Sequence, residues 1–374
     1  MGLAIVLLDA LGLAAGGAWL FRRRGRGPTL GGDLLDGAAL GIALTVLAGL
    51  LAFLVAPGGL FALLRLECHV LFCVLAPLLM ARGLWWSVAR RRRVLGASFL
   101  ALGLALDGVY VHARHVEPFA LEENVHVLRP ERLRGLEGRL RVVVVADFQA
   151  ERIGGYETDV LRRVEALRPD LLLFAGDYVQ VPRVRYAAVA AAFLERIRAM
   201  RHRPRLGAFA VVGDTDPETD LFDGTFVRML QGEAVPLAGV PVQVLGLRYE
   251  ATLAPMDEEA WRAVEAFDGL TLVLGHRPDF LLDVVAGRGR APIVGVAGHT
   301  HGGQVVLPGW GPPLTLTALP RRYASGVHPV GASWVCVSRG IGMERAAAPR
   351  IRFLCPPELL VLDLEAPRTT APQW

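Results

Sequence analysis

The sequence contains no lysine, so all 40 of its Lys-plus-Arg residues are arginine. Genome composition accounts for such a bias as well as any function would. What matters is where the arginines stand. With a formal net charge of only +4, they cluster beside apolar segments, a pattern of membrane topology more than of nucleic-acid binding. Cysteine is scarce too: the chain has four, and none shows C-x-x-C spacing. That excludes the common zinc-ribbon pattern and a disulfide framework. A Cys336–Cys355 bridge stays open for a domain outside the cytoplasm. No internal repeat or low-complexity tract is present.

Apolar residues, by contrast, are abundant, at 53% with a mean hydropathy of +0.40. They are concentrated near the N-terminus in four segments, residues 3–20, 35–55, 68–88 and 94–111. Each approaches the roughly 20 residues that cross a bilayer. The first lacks a positive leader and has its arginines behind it, the wrong polarity for a signal peptide. Arg22, Arg23, Arg24 and Arg26 follow the first segment and Arg90 to Arg93 the third, whereas the loop between the second and third holds only Arg65. The positive-inside rule places both clusters in the cytoplasm and everything after Val111 outside it. Arg65 and Glu67 fit snorkelling at the bilayer edge better than a buried functional pair. No Gly/Pro-broken pair of spans points to a transporter. The expected plan is a transmembrane region over 1–115, a solvated linker over 116–139, a catalytic domain over 140–366 and a tail over 367–374. The linker histidines, His112, His115 and His126, read as solvated rather than ligating.

From residue 140 the texture changes to apolar runs separated by helical periods. "RVVVVAD", "LLLFAGD", "GAFAVVGD", "PVQVLGL", "LTLVLGH" and "APIVGVAGH" are buried strands, and "ETDVLRRVEALRPD" and "YAAVAAAFLERIRAM" are helices. "SWVCVSRG", "RIRFLC" and "ELLVLDLE" add later strands. This is an α/β domain with its sheets covered on both faces. Five of its strands end on an acid or an imidazole: Asp147, Asp177, Asp214, His276 and His299, with His301 two residues further on. One such Asp is ordinarily a helix cap. Five together, at the strand ends where α/β sheets bind ligands, point to a shared site. Gly176, Gly213, Gly275 and Gly298 directly precede four of them and let backbone approach closely. Mixed carboxylate and imidazole donors suit Mn, Fe, Zn or Mg. Two such ions roughly 3.5–4 Å apart clamp the attacking and leaving oxygens of a phosphoryl transfer.

This set of motifs resembles the calcineurin-like metallophosphoesterase family, whose pattern is Asp-x-His, Gly-Asp, Gly-Asn-His-Asp/Glu, Gly-His and Gly-His-x-His. The segment "GHTHGGQVVLPGW", with "SWVCVSRGIG" and "PPELLVLDL" after it, is similar to the membrane-anchored or exported bacterial branch. The resemblance implies two packed mixed β-sheets flanked by helices. It also implies one metal held by Asp147, Gln149, Asp177 and His301. A second is implied on Asp177, Asp214, His276 and His299. Two departures stand out. Gln149 replaces the imidazole of Asp-x-His and weakens the first site for Fe or Zn, though less for Mg or Mn. Thr215 stands at the family's catalytic His and carries no proton of useful pKa, a loss worth roughly 10²–10⁴-fold in rate. Asp216 is read as an arginine partner or helix cap, His328 as a strand-edge residue, and Trp310 as a substrate wall or a packing residue.

The implied function is a membrane-anchored, metal-dependent phosphoesterase outside the cytoplasm. Its substrates would be phosphomonoesters or phosphodiesters of lipid or envelope molecules, and nucleic acid is not an expected partner. The alternative is a catalytically impaired metal- or phosphate-binding protein serving as sensor or scaffold.

Overall fold

The computed structural model describes residues 60–88, 93–217, 220–345 and 348–367. The chain forms two compact units, Met1–Arg114 with Arg345–Arg350, and His115–Glu344 with Ile351–Trp374.

In the first unit, helix α1 (Leu60–His69) passes through a π-helical turn (Val70–Leu75) into α2 (Ala76–Val88), and α3 (Arg93–Val111) follows. α2 and α3 pack at small residues: a Cβ added at Gly83 would lie 2.5 Å from the backbone of Leu100. The stretches Phe61–Val88 and Arg93–Phe119 are long and apolar enough to cross a bilayer by length and composition. They contain the third and fourth expected segments. The first two segments, with Arg22 to Arg26 and Arg90 to Arg92, lie outside the described residues.

The second unit holds two six-stranded sheets. The first runs β1 (Glu122–Leu128), β12 (Glu358–Glu365), β2 (Arg139–Val145), β3 (Leu171–Phe174), β4 (Ala208–Ala210), β5 (Val227–Met229). The second runs β10 (Gly326–Val330), β11 (Ser333–Val337), β9 (Ile293–Ala297), β8 (Leu270–Leu274), β7 (Val242–Gly246), β6 (Ala234–Pro236). Both are mixed: β2 to β5 and β7 to β9 pair in parallel, while β12 runs against β2 and β6 against β7.

Period-two alternation places the core. Val142 and Val144 of β2 pack toward the second sheet against Leu272, Val294 and Val296. Val143 and Val145 face the other way, onto α4 (Gly155–Ala166) and α5 (Arg183–Ala199) through Val160, Val164 and Phe193. Trp261 and Val264 of α6 (Glu258–Glu265) cover the outer face of the second sheet. Strands buried on both faces have no polar side to display, hence the unbroken valine and leucine runs.

Two expectations are corrected and one open alternative is closed. The segment 116–139 is not a solvated linker, because β1 pairs in parallel with β12 over seven residues, from Glu122↔Glu358 to Leu128↔Leu364. "RIRFLC" is not a strand; it makes one isolated bridge, Val305↔Phe353, and turns Arg352 inward. Cys336 and Cys355 are both thiols rather than a bridge, Cys336 lying in the inter-sheet core.

Candidate metal centre

Parallel pairing brings the strand ends together. β2 and β3 are in register up to Val145↔Phe174, so Asp147 and Asp177 leave the first sheet side by side. Asp147 N donates to Gly176 O (3.1 Å) and Gln149 N to Asp177 O (2.8 Å). In the second sheet β8 and β9 do the same for His276 and His299, with Gly298 N donating to His276 O (3.0 Å). His299 N then donates to both carboxylate oxygens of Asp147, at 2.9 and 3.0 Å, stitching the two sheets at the site. Two glycines are there for room. A Cβ on Gly213 would lie 2.2 Å from Asp177 Oδ1, and one on Gly298 2.5 Å from Asp147 Oδ2.

All seven sequence-derived ligands meet in this place. His276 Nε2 lies 3.4 Å from Asp214 Oδ1 and 3.6 Å from Asp177 Oδ1. His299 Nδ1 is 3.3 Å from His276 Nε2 and 3.7 Å from Asp214 Oδ2. His301 Nε2 is 4.0 Å from Asp147 Oδ1, and Gln149 Nε2 donates to Asp177 Oδ2 at 3.0 Å. Ligand atoms of Asp214, His276 and His299 lie within 4.8 Å of one another, as do those of Asp147, Asp177 and His276. The two groups share His276. Its Nδ1 sits 2.8 Å from Ala175 O, which makes Nδ1–H the donor and leaves Nε2 to face the carboxylates.

The donor set fits divalent cations. His299 Nε2 and both ring nitrogens of His301 are buried without a hydrogen-bond partner, an expensive arrangement unless a cation takes them up. Asp147, Gln149, Asp177, His299 and His301 all hold left-handed φ values, between 40° and 69°. Each costs roughly 1 kcal/mol or more for a residue with a side chain, and such strain gathers at functional sites. Asp214 is the opening of the cluster, its side chain 34% exposed where Asp177 and His276 are sealed.

Burial governs the protonation. It pushes Asp147 up to about 7 and Asp177 well above the carboxylate range. Burial alone would lower His276, but Asp177, Asp214 and Asp147 together hold it up at about 10. Burial, then the charge on His276, pushes His299 down to about 3; burial and then Arg352 hold His301 well below the imidazole range. Both imidazoles are thus neutral and ready to ligate. Between pH 7 and 10 the folded apo-protein holds a proton at His276 that the unfolded chain has released, while the extra proton on Asp147 is already lost as pH rises through about 7. Its stability therefore falls as pH rises through that window. We expect the apo melting temperature to drop from pH 7 to 10 and the increment given by added Mn2+ to grow. An increment that shrinks with pH would contradict this protonation pattern.

Other residues separate cleanly. Asp216 neither pairs with arginine nor caps a helix; its carboxylate accepts from the backbone of Gly213 (2.8 Å), Asp177 (2.8 Å) and Tyr178 (2.9 Å), holding two ligand loops together. Thr215 N donates to Asp177 Oδ1 (2.9 Å), and its buried Oγ1 has no partner. His328 bonds to Ser325 O on the edge strand β10 and stands outside the metal-capable groups, as do His112, His115 and His126. Trp310 is 55% exposed with the Arg321 guanidinium 4.1 Å above its ring, so it is no core residue.

Two residues escape sequence reasoning. Arg352 is fully buried and donates to the carbonyls of Gly342 (2.6 Å), Arg339 (2.7 Å) and Cys355 (2.9 Å). It braces the loop beneath Asp147. Glu344 reaches Gln149 at 3.4 Å. The apolar flanks of Arg352 imitate a strand, and Glu344 has no motif around it.

No family model matches the chain. It is 25% identical over 305 residues to an uncharacterized metallophosphoesterase, YkuE, of Bacillus subtilis, covering 74% of this chain and 98% of that protein. It is 25% identical over 291 residues to the phosphodiesterase YaeI of Escherichia coli, covering 73% and 98%. Among solved structures, a dimetal phosphatase from Danio rerio aligns at 11% identity and a TM-score of 0.34, over 54% of this chain and 88% of that one. The two sequence relatives, matched over nearly their whole length, support the calcineurin-like resemblance and with it a phosphoric ester hydrolase.

Proposed function

We propose that the chain is a membrane-anchored, metal-dependent phosphoesterase. Its domain plan is a membrane region over 1–115 and a phosphoesterase domain beginning with β1. The observation that carries the activity is the convergence of Asp147, Asp177, Asp214, His276 and His299 from both sheets, with Gln149 against Asp177, His301 beside Asp147, and imidazole nitrogens buried and unpartnered. Asp147, Gln149, Asp177 and His301 would hold one ion, and Asp177, Asp214, His276 and His299 the other. Divalent cations, when bound, supply Lewis acidity that polarises a phosphoryl oxygen and acidifies water. The chain's own part is to orient and to exclude solvent. Ala175 O fixes the His276 ring, Asp216 fixes the loops of Asp177 and Asp214, and the exposed edge of Asp214 leaves the side on which an ester enters.

No protonatable side chain occupies position 215, so departing oxygens take their proton from solvent. That favours esters with acidic leaving groups, and it is also what supports the second reading, a weakly active metal- or phosphate-binding sensor or scaffold. Arginine placement and the two apolar helices support a multi-pass protein with this domain on the extracytoplasmic side, where lipid or envelope phosphate esters are within reach.

The test is full-length protein in detergent, loaded with Mn2+ or Zn2+ and offered bis(p-nitrophenyl) phosphate. We expect close to two metals per chain and turnover that His299→Ala abolishes. One ion or none, without turnover, favours the sensor reading. A reporter active only in the cytoplasm, fused at the C-terminus, would overturn the orientation if it were active.

A further inference from the structure

The loop after β11 returns beneath the metal-capable cluster. Ile341 N donates to Ala146 O (2.9 Å) and Gly342 N to Asp147 O (2.7 Å), so the loop is laid along the backbone of the first ligand strand. Two residues later comes Glu344. Its carboxylate accepts from Gln149 Nε2 (3.4 Å) and Gln180 Nε2 (2.8 Å), and its backbone N donates to Gln304 Oε1 (2.6 Å). Two glutamines thus hold the Glu344 carboxylate, and a third, Gln304, holds its backbone. The same Gln149 nitrogen donates to Asp177 Oδ2 at 3.0 Å.

An amide has a donor end and an acceptor end, and only the acceptor ligates metal. We propose that Glu344 is a positioning residue for the first metal site: with Asp177 it captures the nitrogen of the Gln149 amide, so that Gln149 presents its carbonyl oxygen to the ion. A histidine at 149 would need no such device, because an imidazole is a ligand whichever neighbour orients it. The pairing of Gln149 with Glu344 therefore makes the first site oxygen-rich, built from Asp147, Asp177 and Gln149 beside the single imidazole of His301. Such a set selects Mn2+ or Mg2+ over Zn2+. The inference rests on the metal-centre reading of the site.

The test is metal binding alone. Full-length protein in detergent, stripped with chelator, is titrated with Mn2+ and separately with Zn2+, following heat and bound metal per chain. Loss of an orienting carboxylate weakens one of the two Mn2+ sites by roughly 10–100-fold. Glu344→Gln, which keeps shape and removes charge, is expected to show that loss, as is Glu344→Ala, with apo melting temperatures at the wild-type value. Gln149→His placed on Glu344→Ala should restore a two-ion titration and shift its preference toward Zn2+. A wild type that takes two ions while Glu344→Gln takes the same two at unchanged affinity overturns this inference alone. A wild type that binds no metal overturns the metal centre and the inference together.

Discussion

Thr215→His is expected to raise turnover of an alkyl phosphate ester by roughly 10²–10⁴-fold, the usual worth of a positioned general acid. The backbone for it is already in place. Thr215 N is tied to Asp177 Oδ1, and Asp216 pins Gly213 and Asp177 on either side, so position 215 is held beside the ligands. What is missing is a proton that an alkoxide leaving group can use. The gain should be selective: a p-nitrophenyl ester, whose leaving group needs no proton, should change by less than about tenfold. The measurement is kcat on the two ester types with metal content checked in parallel. Equal changes on both, or none on either, would show that position 215 does not address the leaving group.

His276→Ala is expected to be the most damaging ligand substitution. His276 belongs to both metal-capable groups, is fully buried, and carries the positive charge that three carboxylates share in the apo-protein. Removing it deprives the second site of a donor and leaves Asp147 and Asp177 facing each other uncompensated. Metal per chain should fall below one at metal concentrations that saturate the wild type. Turnover should fall by three or more orders of magnitude, since several kcal/mol of Lewis-acid stabilisation at about 1.4 kcal/mol per tenfold go with the ions. His328→Ala, on an edge strand away from the cluster, is the control and should leave both readouts alone. A His276→Ala protein that still binds two ions would sink the ligand assignment.

The candidate ligands are legible in the sequence because most of them close an apolar run, and a run buried on both faces ends where the chain can next afford a polar side chain. Asp147, Asp177, His276 and His299 all follow that rule. The two-sheet fold was legible for the same reason, although only the resemblance, and not the periodicity, divides the strands between sheets. What sequence patterns missed depends on partners distant in the chain. β1, with its exposed Glu122 and Glu123, looks like linker until β12 supplies its hydrogen bonds from more than 200 residues away. Arg352 looks like a surface residue in a strand, yet its guanidinium is satisfied by backbone carbonyls that no local pattern announces. Asp216 reads in the sequence as an arginine partner or a helix cap, whereas three backbone N–H groups claim it.

The place of β12 has a consequence for biosynthesis. The strand follows the other eleven described strands in the chain, yet it sits inside the first sheet, hydrogen-bonded to β1 on one flank and β2 on the other. Until the ribosome has delivered it, β1 and β2 present open edges that invite pairing with foreign strands. The strand end that carries Asp147 therefore gains its finished sheet only once β12 has been made, and a nascent domain of this kind needs shelter until then.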